Sequence, residues 1–203
     1  LLLISCITIL PSPIWGQAAA AQQLETALQL WLKVKNKETL VIYQKVIKEH
    51  PHNKPALMEA YYKSGVILER KNLDSAKPFF HKMIALQLSK KEKQSSIMHQ
   101  FMGGKASNPY QQYMHLAYSY LGDIAQVEKR YAQALQYYKI ANNRYPSWDQ
   151  NTDLSQLINN EWYAECYAGL HQPDSVLYVL VPFILTSENY AAEGLQSLKK
   201  KLQ

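Results

Sequence analysis

The chain has 203 residues, of which 47% are hydrophobic and 19% charged, proportions that suit one globular domain and exclude an intrinsically disordered chain. With 7 glycines and 9 prolines among abundant Leu, Ala, Gln and Lys, it favours helices over a many-turned β fold. The net charge of +6 comes from dispersed lysines and two short runs, 90–93 and 199–201. Neither run carries the aromatic or glycine signals of a nucleic-acid module, so it reads as solvated surface and no nucleic-acid partner is expected.

Residues 1–21 read as an export leader. An apolar stretch of about ten residues is too short to span a bilayer but suits a signal-peptide core. Pro11 and Pro13 break it, and small residues at Gly16, Ala18, Ala19 and Ala21 suit a cleavage site. Leu3-Ile4-Ser5-Cys6 also resembles a bacterial lipobox, which implies the alternative of a lipid anchor on Cys6. Beyond Gln22 no apolar run reaches the length of a membrane span; the longest, 176–185, is interrupted by Tyr178 and Pro182. Cys166 is then the remaining thiol, unable to pair internally and placed as a small buried hydrophobe.

From 22 to 203 the apolar residues recur three and four apart, and they fall into helical pairs. Leu24, Leu28 and Trp31 form one stripe and Leu40, Tyr43, Val46 and Ile47 the next, with a turn at Asn36-Lys37. Asn53 and Pro55 read as N-cap and first-turn proline of a second pair. Its first helix carries Met58, Tyr61, Tyr62 and Ile67, and its second carries Ala76, Phe79, Phe80, Met83 and Ile84. Between them lies the turn 71–74, and Pro78 is expected in the first turn of the second helix.

The stretch 88–107 lengthens the interval beyond a simple repeat. It reads as an inserted surface connection with a short helix through Ile97 and Phe101. A third pair opens at Asn108-Pro109, runs through Tyr113, Leu116, Tyr120 and Leu121, and returns through Tyr131, Ala134, Tyr138 and Ala141 to Pro146. A fourth carries Trp162, Tyr163, Ala164 and Tyr167, then Val176, Leu177, Leu180 and Phe183, where Pro182 is expected to kink or end the helix. Ser187 reads as the cap of a last helix through Tyr190, Ala191, Leu195 and Leu198.

The segment Tyr118-Ser119-Tyr120-Leu121-Gly122, followed by Tyr131, Ala134, Tyr138, Ala141 and Pro146, resembles a tetratricopeptide repeat. Ala125 departs from it, standing where the family usually has a tyrosine. Gly122 and Ala134 let two helices approach, aromatics fill the volume beside them, and Pro146 ends the pair. The pattern is looser around Ala76, Phe80 and Met83, and elsewhere only the periodicity remains. The resemblance implies an all-α, right-handed solenoid of antiparallel helical hairpins over 22–203. It also implies a groove, lined by the first helix of each pair, that holds a protein or peptide.

Candidate contact residues in that groove are Tyr61, Tyr62, Ser119, Asp123 and Gln126. The family's clamp of Asn, Lys and Arg for a terminal carboxylate has no counterpart here, since the matching surfaces show Tyr61 and Gly65, Ser119 and Asp123, and Glu161 and Glu165. No chemistry-bearing motif stands out. The six histidines lack metal-ligand spacing, Gly103-Gly104-Lys105 lacks the strand and spacing of a phosphate loop, and Glu161 with Glu165 read as a solvated acidic edge. The expectation is a binding scaffold of the bacterial envelope without cofactor or metal. The alternatives are a lipoprotein subunit of an outer-membrane assembly complex, and an envelope enzyme or accessory subunit.

Overall fold

Helix follows helix along the chain in the computed structural model, which describes residues 13–70, 72–98, 109–147 and 151–202. The expectations for Cys6, Phe101, Gly103-Gly104-Lys105 and the Asn108 cap lie outside these residues. In order the α-helices are α1 (Pro13–Leu32), α2 (Asn36–Glu49), α3 (Lys54–Glu69), α4 (Leu73–Ile84), α5 (Pro109–Val127), α6 (Tyr131–Arg144), α7 (Asp153–Gly169), α8 (Pro173–Thr186) and α9 (Ala191–Lys201). Among the described residues there is no strand, and one 3-10 turn stands at Glu92–Gln94. The all-α class expected from composition is therefore what the chain adopts. Each helix packs on the next, and α1 also meets α3, α3 meets α5, and α7 meets α9.

The turns repeat one backbone plan. Val34, Lys129 and His171 sit between α1 and α2, α5 and α6, and α7 and α8, with φ of 59°, 57° and 56°. In each turn two amides reach back to the same pair of carbonyls. Val34 N donates to Trp31 O at 2.9 Å and Lys35 N to Leu30 O at 3.0 Å. Lys129 N and Arg130 N donate to Gln126 O and Ala125 O at 2.9 and 2.8 Å, and His171 N and Gln172 N to Ala168 O and Tyr167 O at 2.9 Å each. This is the left-handed helix stop usually built on glycine. Here none of the three positions is glycine, so each holds a side chain in a conformation costing about 1–2 kcal/mol. The first turn thus occupies 33–35, and Asn36 opens α2 where the sequence pattern expected it to lie in the turn.

Close helix approach rests on glycines met by aromatic rings. A Cβ on Gly122 of α5 would lie 2.4 Å from the Tyr138 ring of α6, and one on Gly65 of α3 would lie 2.8 Å from the Phe80 ring of α4. Ala134 and Ala76, one turn before these aromatics, are fully buried. The two pairs therefore use the same glycine, alanine and aromatic arrangement. Gly169 of α7 similarly receives the Tyr131 ring of α6, 2.4 Å from a Cβ built there.

Asn53 caps α3 by accepting from Ala56 N at 3.3 Å, with Pro55 in the first turn as expected. Asn72 caps α4 in the same way through Ser75 N, so Leu73 starts α4 and Pro78 falls inside the helix, not in its first turn. Pro182 likewise lies inside α8, which continues through Phe183 to Thr186 without ending early. Both prolines are on exposed faces, where water can satisfy the carbonyl that loses its partner. Ser187 closes a turn with Tyr190 N at 2.9 Å before α9 begins at Ala191.

One part of the core joins α1, α2 and α3 through Ala20, Leu24, Ala27, Tyr43, Val46, Ala60 and Ile67. The helix α1 is continuous across the leader boundary expected at residue 21, and Ala20 belongs to this core. A second cluster joins α3, α4 and α5 through Met58, Phe80, Tyr113 and Leu121. The inserted connection is more than surface: Leu88 and Met98 are buried in this second cluster, and Ile97 packs on the first. Its 3-10 turn touches both α3 and α5. Further on, Ala125, Tyr138 and Cys166 link α5, α6 and α7, and Ala164, Val176 and Leu180 link α7 to α8.

Candidate functional site

The five expected groove residues have different fates. Tyr62 is buried in the core, edge-on to Tyr113 at 5.2 Å between ring centroids. Ser119 is buried and donates its hydroxyl proton to His115 O at 3.0 Å, one turn back on α5. Asp123 Oδ1 and Gln126 Oε1 both lie 2.8 Å from the Tyr138 hydroxyl. That hydroxyl has one proton, which goes to the carboxylate, and the Gln126 amide turned about presents an N–H to the oxygen. Desolvation raises the Asp123 carboxyl to about 6, while the hydrogen bond from Tyr138 pulls the other way and Glu69 adds to the rise. These two residues therefore brace α5 against α6. Tyr61 is partly open, as Asp123 and Gln126 are, and is tilted against Phe79 at 6.4 Å.

Glu161 and Glu165 are not a free acidic edge. Lys201 of α9, nearly buried, reaches Glu161 Oε2 at 2.8 Å and Glu165 Oε2 at 3.4 Å, tying the last helix to α7. At the other end of the molecule a charged pair sits inside. Glu59 is 0% exposed and Lys63 5% exposed, one turn apart on α3. The Lys63 ammonium stands 3.4 Å from the centre of the Trp31 ring, and burial lowers it to about 8 against the opposing pull of Glu59. Burial foremost, then the charge of Glu59, pushes the Tyr113 hydroxyl well above its usual range, and a hydrogen bond links the two. This cluster is closed to solvent and ties α1, α3 and α5 together.

Where α5 and α7 pass each other, the contact seen between α1 and α3 or α3 and α5 gives way to a cleft. It measures about 200 Å³ and is lined by Gln112, His115, Leu116, Ser147, Ser155, Ile158, Asn159 and Trp162. Leu116, Ile158 and Trp162 are its apolar walls; Trp162 is fixed on one face by stacking on Tyr138 at 4.8 Å and 3°. At its base, Gln112 is 4% exposed and its Nε2 is buried without a hydrogen-bond partner among the described residues. His115 beside it places Nδ1 2.9 Å from Tyr145 O and 3.2 Å from Ala141 O.

Comparison with protein-family models, with curated proteins and with solved structures gives no match.

Leu116 and Trp162 are legible in the sequence as stripe residues, but the cleft they wall is not. Gln112 was the available signal: a glutamine one turn before Leu116 on the inward stripe is a polar group where packing asks for an apolar one. A second, wider hollow of about 710 Å³ lies between residues 49–53 and the connection 91–97. His50 and His52 line it, and its carboxylates are engaged: Glu49 by Gln23 at 2.8 Å and Glu92 by Ser89 N at 2.7 Å. Among the described residues no three of His, Cys, Asp and Glu are placed to hold a metal ion, and no helix is long and apolar enough to cross a membrane. Cys166 is buried, and desolvation pushes its thiol up to about 12, the wrong direction for a nucleophile.

Proposed function

We propose that this chain is a protein- or peptide-binding scaffold, a tetratricopeptide-like solenoid of helical hairpins that works in the bacterial envelope. Repetition supports the architecture: three turns share one backbone plan, and two pairs share one glycine–aromatic lock. The observation that carries the binding role is the α5–α7 cleft. It lies between two first helices, has apolar walls, and ends on a buried donor that no group among the described residues satisfies. Stacked hairpins offer such a surface without a moving part.

The test is capture of partners from an envelope extract on the purified chain, repeated with Ile158→Glu in the cleft and Tyr178→Glu on the exposed face of α8. A partner retained by the parent and the Tyr178 variant but lost with Ile158→Glu supports the reading. Partners that ignore Ile158→Glu refute the cleft as the contact.

A further inference from the structure

Gln112 sets the chemistry of the α5–α7 cleft. A buried amide N–H without an acceptor costs about 1–3 kcal/mol, so an occupant gains by bringing a carbonyl-type oxygen to Nε2. His115 offers the complement. Its Nδ1 faces two backbone carbonyls, which only an N–H can satisfy, so in the neutral ring the proton sits there and Nε2 is left as an acceptor. The two residues stand three apart on α5 and therefore share a face. Gln112 thus brings a donor and His115 an acceptor to a cleft walled by Leu116, Ile158 and Trp162.

We infer that this cleft is a subsite for a side-chain carboxamide, the Gln or Asn of a peptide, an inference that rests on the scaffold reading above. An apolar side chain would leave the Gln112 N–H unpaired. A carboxylate or an ammonium would be desolvated with no opposite charge among the described lining residues. A hydroxyl could touch both Gln112 and His115 but would leave the apolar walls of a hollow of about 200 Å³ uncovered. A carboxamide is neutral, carries acceptor and donor on one plane, and brings methylene groups for the walls.

The probe is N-acetyl-glutamine N-methylamide, titrated into the full chain and followed by NMR at the Gln112 side-chain amide and the His115 ring. The expected result is a saturable shift of both signals, absent with the matching glutamate and norleucine compounds. Gln112→Met, which keeps the volume, should weaken binding roughly 3- to 10-fold, the worth of one neutral hydrogen bond. Equal response to the glutamate or norleucine compound, or no movement with the glutamine compound, overturns the subsite. If Gln112→Met does not fold, the three-compound series on the unaltered chain decides alone. A random-peptide library screened on the same chain separates the two readings. Peptides recovered without a Gln or Asn preference sink the subsite and leave the scaffold standing, whereas recovery of none sinks the scaffold.

Discussion

Gly122→Ala should destabilise the protein by about 2 kcal/mol, although alanine is the better helix former. The added methyl would stand 2.4, 2.6 and 2.8 Å from Cε1, Cδ1 and Cζ of Tyr138. The ring has no free direction, because Trp162 stacks on it at 4.8 Å and its hydroxyl is held 2.8 Å from Asp123 Oδ1. Relief must come from parting α5 and α6. Overpacking of this kind costs about 1–3 kcal/mol, and contacts this short on a pinned ring place it at the upper end. The gain in helix propensity, about 1 kcal/mol, offsets part. The expected net loss lowers the midpoint of thermal unfolding by about 4–8 °C for a chain of this size. Far-UV circular dichroism on heating measures it. The control is Gly194→Ala in α9, whose methyl would meet the flexible, half-buried Ile184 side chain at Cγ1 at 2.9 Å and come no nearer the buried Phe183 ring than 3.2 Å. That variant should stay within about 0.5 kcal/mol of the parent. A Gly122→Ala protein as stable as its parent would refute the account of the lock.

Four further outcomes follow from groups described above. Asp123 titrates near 6 when folded and 3.8 when not, so stability present below pH 3.8 is lost as pH rises through 6. At about 1.4 kcal/mol per unit, with solvent screening at its open side, Asp123→Asn should gain about 1–2 kcal/mol at pH 7 and little at pH 4 by urea unfolding. Lys63 is lowered from 10.5 to about 8, so the unfolded chain binds more protons between those values and stability rises with pH across them. The rise, at most about 3 kcal/mol, should disappear from the pH profile of Lys63→Met, whatever that variant's own stability. Lys129→Gly should stabilise by about 1 kcal/mol by relieving a left-handed residue, and calorimetry would show no gain if the turn were unstrained. Met98→Ala should cost about 2–4 kcal/mol in chemical unfolding, whereas a connection lying on the surface would lose almost nothing.

The sequence pattern located the helices well because amphipathic spacing and polar caps such as Asn53 act locally. Where it went astray, a non-local or untyped feature decided. Pro78 looked like a helix opener, but Asn72 had already capped α4 and the exposed face tolerated the proline. The repeated turns were invisible because Val34, Lys129 and His171 are not residues that advertise a left-handed backbone. Gly65 matched no family spacing, its aromatic partner Phe80 lying one residue closer in sequence than Tyr138 lies to Gly122. Among the candidate groove residues, Ser119, Asp123 and Gln126 fell on the first helices, as expected. Their side chains point to α5's own carbonyl or to Tyr138, a matter of helix rotation that the periodicity of one stripe does not resolve. The cleft depends on how far α5 stands from α7, which no local pattern encodes.

That separation also divides the molecule's stiffness unevenly. From α1 to α5 the helices are cross-tied twice, once by the odd-numbered helices touching in series and again by the connection that plants Ile97 and Met98 in two parts of the core. Beyond it, α7, α8 and α9 form a second tied block, closed by Lys201, that meets the first mainly along α6. The contact along α6 is thus a seam, and the cleft is its open side. Trp162 stacked on Tyr138 and the Tyr131 ring against Gly169 hold that seam closed, so the walls of the cleft are set before anything enters it.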